Sequence, residues 1–214
     1  MRNTKEEILQ TALALFARDG YEAASVSTIA GALGMTKSAL YKHYRSKRDI
    51  FDSILARMEA RDAEQAAAFS LPEGTKEAQP DAYADAALAD LLAFSRAQFR
   101  YWTEDPFAAA FRRMLTLEQY RSREMMALYQ QYLGAGPLDY VEALLESLRT
   151  PQPRAQAAAL YAPMFLLYSV WDGAEDKAAV TALLDGCLTR WARQLEEAKR
   201  SENDERLHDS KRNA

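Results

Sequence analysis

The chain has 214 residues, a formal net charge of −4 and a pI near 5.4, and is 49% hydrophobic and 27% charged; this is the balance of one or two folded domains, and it excludes a disordered chain. A single cysteine, Cys187, excludes an intramolecular disulfide and fits a reducing, cytoplasmic setting, while the polar first ten residues (with Arg2, Lys5, Glu6 and Glu7) carry no secretory signal. The longest charge-free stretch, residues 155–171, lies at or below the short end of the ~17–25 apolar residues a membrane span needs and holds Pro163 in its middle, so it reads as a buried helix.

In chain order, Ile8, Ala12, Leu15 and Phe16 repeat at i, i+4, i+7 and i+8, the stripe of an amphipathic helix that Gly20 is placed to end. A second, short helix carries Val26, Ile29, Ala30 and Leu33, with Ser25 as its N-cap and Gly34 as its stop. A third starts almost at once, with Thr36 as cap and Leu40 and Tyr44 on the inner face. Ser46-Lys47-Arg48-Asp49 has the form of a capping box opening a fourth helix, with Ile50, Phe51, Ile54 and Met58 as its stripe and Phe69 near its end. Residues 71–80, with Pro72, Gly74 and Pro80, read as a loop. Further helices are predicted over 81–104, 106–116, 117–133, 137–149, 153–172 and 175–198, with Pro106 and Pro163 as bends that open a cavity. Residues 199–214 read as a frayed or disordered tail. There is no strand alternation, and the fold class is all-α: a three-helix head on a larger helical body, about nine or ten helices in all.

The acidity is uneven. Residues 1–50 hold eight Lys and Arg against five Asp and Glu, a net of +3 that leaves −7 for the rest, and residues 37–48 hold five basic side chains and no acid. Local charge decides whether a polyanion can dock. Two short helices across a tight turn at Gly34 have the geometry of a helix-turn-helix, whose second helix enters the major groove. Leu33 and Leu40 can lock the pair together and Ala30 is small enough for close packing, leaving Lys37, Ser38, Ala39, Lys42 and His43 outward or sideways. On periodicity alone, a plain three-helix bundle with a solvated basic face fits equally well.

The residues Gly20-Tyr21, Ser25-Val26-Ser27-Thr28-Ile29-Ala30, Gly34 through Tyr44 and Ser46 through Asp49 resemble the TetR family of bacterial regulators over roughly the first quarter of the chain. The resemblance implies a DNA-binding head over 1–47, a helical effector-binding and dimerisation body over 48–198, and a tail beyond. Carried over by position, Lys37, Ser38 and Ala39 would meet bases, and Ser25, Ser27, Thr36, Tyr41, Lys42, His43 and Lys47 would meet phosphates. Two positions depart from the family: Tyr44 replaces a usual phenylalanine, and Thr28 an acidic capping residue.

The resemblance also implies that the last two helices pair with their twins in a homodimer, with Ala158, Ala162, Leu184, Leu188, Trp191 and Leu195 as candidates; burial within one subunit is the alternative for the same stripes. An effector pocket is implied among Phe99, Trp102, Phe107, Phe111, Met114, Met125, Tyr129, Tyr140, Phe165 and Tyr168, most of which core packing also explains. The expected function is a ligand-responsive regulator that represses at a palindromic double-stranded DNA operator and is released by a small lipophilic or aromatic effector; an activator, or a regulator with no small-molecule ligand, is the alternative. The expected partners are thus DNA, an effector and a second copy, with no membrane. No cofactor and no metal site are expected, and no enzyme: the chain lacks a metal-spaced histidine pair, a Cys-His couple, a phosphate-cradling glycine loop and a nucleophile elbow, and acid pairs such as Asp62/Glu64 and Asp204/Glu205 read as solvated. A membrane-surface role is weaker, because the apolar side of the third helix is needed for packing.

Overall fold

A computed structural model of the protein describes residues 4–68 and 80–212. Among them the chain is all-α: α1 (Thr4–Asp19), α2 (Val26–Ala32), α3 (Lys37–Tyr41), α4 (Lys47–Ala68), α5 (Pro80–Glu104), α6 (Pro106–Glu118), α7 (Arg123–Leu133), α8 (Ala135–Ser147), α9 (Pro153–Gly173) and α10 (Lys177–Arg212). The loop predicted over 71–80 lies outside the described residues except for Pro80, which opens α5. None of the described helices is long and apolar enough to cross a membrane.

The chain packs as two compact units, residues 1–72 with 100–129 and residues 73–99 with 130–214. In the first, α1 is the hub. Its Ile8, Ala12 and Phe16 are fully buried and Leu13 nearly so, and it packs on α6 most extensively, then on α4 and α2. The boundary expected at 47/48 therefore falls inside this unit. Ile50, Phe51, Ile54 and Met58 of α4 and Phe111, Met114 and Leu115 of α6 complete the apolar interior, as their helical spacing requires.

Pro106 does not bend a helix. It stands at the first turn of α6, where a missing N–H costs nothing, and Asp105 caps that helix by accepting the Phe107 and Ala108 amides at 3.0 and 2.9 Å. Pro163 does lie within α9. The predicted boundary at 116/117 moves to residues 119–122, where Ser122 accepts the Met125 amide at 3.1 Å and starts α7.

In the second unit α9 packs on α8 and α10. Leu160, Tyr161, Met164, Leu167 and Tyr168 of α9 and Val180, Leu184, Leu188, Trp191 and Leu195 of α10 are buried. The Trp191 indole N–H donates to the Gln156 carbonyl at 3.1 Å, and the Tyr161 hydroxyl donates to the Leu133 carbonyl at 2.9 Å. The backbone of α10 continues through residues 199–212, set apart above as a tail; their Glu, Arg and Lys content favours helix over coil.

Two substitutions check this packing. Asp105→Ala leaves two α6 amides without their acceptor and is expected to cost about 1 kcal/mol. Phe111→Ala opens a void under α1 and is expected to cost about 3–5 kcal/mol. Urea denaturation of both variants measures the ratio, and equal costs would show that Phe111 is not in a packed interior.

Candidate nucleic-acid interface

The segment from α2 to the start of α4 is built by short-range hydrogen bonds that its sequence specifies. Ser25 caps α2, its Oγ accepting the Thr28 amide at 3.0 Å. The Thr28 hydroxyl lies 2.8 Å from the Ser25 hydroxyl, so the side chain that departs from the family pattern still joins the cap. At the other end the Gly34 amide returns to Gly31 O and the Met35 amide to Ala30 O, both at 3.0 Å, with Gly34 at φ +64°. This is the Schellman closure, and it turns the chain sharply into α3. Thr36 then caps α3, accepting the Ala39 amide at 3.1 Å.

The third helix is short, and two inward side chains anchor it. Leu40 is fully buried and Tyr44 is 6% exposed, its hydroxyl donating to the Lys5 carbonyl at 3.4 Å. Tyr44 thus keeps the buried ring expected of phenylalanine and adds a tie to α1. Leu33 is only half-buried, so Leu40 carries more of the locking than the symmetric expectation allowed. At α4 the forward half of the box forms, Ser46 Oγ accepting the Asp49 amide at 3.1 Å, while the Asp49 carboxylate reaches one residue further back and accepts the Arg45 amide at 2.8 Å.

Of the residues expected at DNA, Ser25, Ser27, Thr36, Lys37, Ser38, Tyr41 and Lys42 are exposed, while Ala39 and His43 are half-buried. All lie on α2, α3 and the turns that flank them. The Lys37 ammonium stands 5.8 Å from the Tyr41 ring centre, and among the described residues neither Lys42 nor Arg45 has an ion pair. The basic residues of this stretch therefore differ in availability. Arg48 is bound to Asp52 at 2.7 Å and to both oxygens of Glu124 on α7 at 2.9 and 2.7 Å. That guanidinium holds the Glu124 carboxyl below the usual carboxylate range.

Lys47 is placed differently from the other predicted phosphate contacts. It is half-buried, its Nζ donates to the Tyr21 carbonyl at 2.8 Å and the Glu22 carbonyl at 3.4 Å, and it sits 4.2 Å from the Tyr21 ring centre. Its charge ties α4 to the α1–α2 turn. Sequence reasoning missed this tie because the partners are 26 and 25 residues apart and the bonds are to backbone.

The effector candidates divide between the units. Trp102, Phe107, Phe111, Met114, Met125 and Tyr129 are buried in the first, where the Trp102 and Phe111 rings stack at 6.4 Å and the Arg57 guanidinium covers the Phe107 ring at 3.9 Å. Phe99 and Tyr168 are buried and stacked at 5.4 Å in the second, whereas Tyr140 and Phe165 are 45% and 44% exposed. Of the dimer candidates, Leu184, Leu188, Trp191 and Leu195 are buried within the chain itself; only Ala158 and Ala162 lie on the open face. That face of α9 carries Phe165, Leu166 and Val170 as well, which sequence reading did not assign to it, and Leu183 is exposed on α10. Among the described residues no group of His, Cys, Asp and Glu could hold a metal ion.

The two glycines that end α1 and α2 are distinguishable by substitution. Gly34→Ala meets only the backbone cost of positive φ, about 1–2 kcal/mol, since nothing lies within 4 Å of the added carbon. Gly20→Ala adds a carbon 2.7 Å from a Glu118 oxygen at φ +91° and is expected to lower the melting temperature further. Equal melting temperatures would remove the close approach at Gly20.

With this geometry in hand, the comparisons are informative. A family model described as bacterial regulatory proteins, tetR family, matches residues 8–54. The chain is 40% identical over 53 residues to the HTH-type transcriptional regulator AcrR of Shigella flexneri and 42% identical over 55 residues to the nucleoid occlusion factor SlmA of Escherichia coli O1:K1 / APEC. Those matches span 25% of this chain and 25% and 28% of the two relatives. The likeness of fold extends much further. The SmeT–triclosan complex, whose protein is a repressor in Stenotrophomonas maltophilia, superimposes with a TM-score of 0.60 over 88% of this chain and 91% of that one, at 18% identity. Residues 8–54 thus match the tetR family of bacterial regulatory proteins, and the all-helical fold as a whole is like that of a solved TetR-like transcriptional regulator from Rhodococcus sp. RHA1, at a TM-score of 0.63 and 20% identity.

Proposed function

We propose that the protein is a ligand-responsive transcriptional regulator that binds a palindromic DNA operator as a homodimer and represses until a small lipophilic or aromatic molecule releases it. The observation that carries this reading is the capped two-helix unit over residues 25–45, which holds Lys37, Ser38 and Lys42 in solvent on a helix anchored from behind by Leu40 and Tyr44. Such a helix can enter a major groove without disturbing the core beneath it. Lys37, Ser38 and Ala39 would meet base edges; Ser25, Ser27, Thr36, Tyr41, Lys42 and His43 would meet phosphates. Lys47 would set the turn beside them and leave one N–H for a phosphate.

What α9 leaves uncovered supports the homodimer. Ala155, Ala158, Ala159, Ala162, Phe165, Leu166 and Val170 recur at three- and four-residue spacing and are all exposed. An apolar stripe of that length calls for a partner helix, and a second copy presents the same stripe to meet it. Two heads then read one palindrome and combine their contacts.

Effector response requires only that the ligand bind one arrangement of the heads better than another. Apolar side chains on and beside α6, including the Trp102 and Phe111 rings and the Met114 thioether, suit a lipophilic aromatic ligand. That SmeT, of like fold, is described in complex with triclosan supports this class.

Selection of bound duplexes from a random pool by the full-length protein, followed by fluorescence anisotropy over a salt series, tests DNA binding. A selected palindrome bound tightly and lost steeply with salt is expected; binding no stronger than to scrambled duplex would overturn the reading. Lys42→Ala is expected to weaken all sequences alike and reduce the salt slope by about 1 with an unchanged melting temperature, whereas Lys47→Ala is expected to lower that temperature too. For the dimer, Leu166→Arg should shift the sedimenting mass from two chains to one without unfolding the protein. A monomeric wild type would remove the interface.

A further inference from the structure

Among the described residues three helices end through a residue with positive φ: α1 at Gly20, α2 at Gly34 and α8 at Arg149. At α2 and α8 the following amide folds back to close the helix, Met35 N–H to Ala30 O and Thr150 N–H to Leu145 O, both at 3.0 Å. At α1 the closure is incomplete. The Gly20 amide returns to Phe16 O at 3.0 Å, but the Tyr21 amide leaves the helix and donates to Oε1 of Glu118, the last residue of α6, at 3.0 Å.

Glu118 is 1% exposed, an unusual place for a carboxylate, and its nearby cation is Arg121, whose Nε lies 3.6 Å from the same oxygen. The Gly20 backbone approaches this oxygen so closely that a Cβ there would stand 2.7 Å from it. On its other side Tyr21 is held by α4, because its carbonyl accepts Lys47 Nζ at 2.8 Å. Its ring packs against Phe16 and Phe51 at 5.1 and 5.0 Å. One residue is thus bonded through its N–H to α6 and through its C=O to α4, four positions before the Ser25 cap that starts the helix-turn-helix.

We propose that Glu118 is a positioning residue of the DNA-reading head: from the end of α6 its carboxylate fixes the Tyr21 peptide, and with it the direction in which the chain enters α2. The proposal rests on the reading of residues 25–45 as a DNA-binding unit. The physical basis is that the buried Glu118 carboxylate takes the part-buried Tyr21 amide as a hydrogen-bond donor, so the turn and the α6 terminus must move together or lose a charge-assisted hydrogen bond. Ala24, buried and bonded through its amide to Gly20 O at 3.3 Å, carries the constraint across the turn.

Hydrogen exchange of the full-length protein, alone and with the duplex selected as above, tests it. In the DNA-free protein, exchange over residues 20–24 should become about tenfold faster in Glu118→Ala and stay near wild type in Glu118→Gln, which keeps an acceptor oxygen. With duplex bound, wild type and Glu118→Gln should gain protection over residues 112–118 of α6, and Glu118→Ala should not. A purely structural glutamate would not produce that gain. Unchanged exchange over 20–24 in Glu118→Ala, or no DNA-dependent protection of α6 in the wild type, overturns the proposal. Should Glu118→Ala fail to fold, the wild type and Glu118→Gln with and without duplex decide the matter. If no duplex binds the wild type, the DNA reading fails, and the DNA-free comparison still shows whether Glu118 holds the turn.

Discussion

The first unit depends on the burial of α1 from more than one side. A helix with one partner needs an apolar stripe little over 100° wide, but α1 packs on α2, α4 and α6, and Ile8, Leu9, Ala12, Leu13, Leu15 and Phe16 are all buried. Each of the five larger side chains removed from water contributes about 1.5–3 kcal/mol, and the Ala12 methyl less. That burial is what makes the N-terminal helices more than a loose head, since α2 and α3, with seven and five residues, are far too short to be stable alone. The polar positions of α1 are tied in as well: Glu6 bonds to Arg57 of α4, whose guanidinium also covers Phe107 of α6.

With packing entrusted to α1, α4 and α6, α3 is left with little structural work. Leu40 and Tyr44 hold it from behind, and Thr36 and Gly34 fix where it begins. Lys37, Ser38 and Lys42 are therefore replaceable without disturbing the interior. This separation is what a sequence-reading element requires: contacts to bases can change while the fold does not.

The same separation explains what was legible in the sequence. Caps, glycine stops and the box at Ser46–Asp49 are interactions between residues two to five apart, so their spacing alone predicts them; the caps at Ser25 and Thr36 form as read, and the box forms with its return bond at Arg45. The apolar stripes of α1 and α4 were legible for the same reason. The roles of Lys47 and Glu118 were not, because each acts on a backbone group of the α1–α2 turn 25 to 97 residues away. Helical periodicity also cannot say which partner covers which face. In α10, Leu184, Leu188, Trp191 and Leu195 have the spacing of an interface, and they form one, against α9 of the same chain. Tyr140 and Phe165 stand among the effector candidates that the resemblance implies, yet both are exposed, unlike the other eight.

The uncovered face of α9 has its own internal gradient. Its first half presents only alanines, at 155, 158, 159 and 162, and its second half presents Phe165, Leu166 and Val170. Small side chains let helix backbones approach to the short end of the usual 8–10 Å, and large ones hold them apart. A second copy seated on this face is therefore constrained in tilt as well as in position: close at the alanines, splayed at the aromatic end. In the proposed twofold assembly the tilt of one α9 against its twin would be shared by both subunits. A charged residue at 166 would break the pairing, whereas a larger residue at Ala158 or Ala162 would reset its angle.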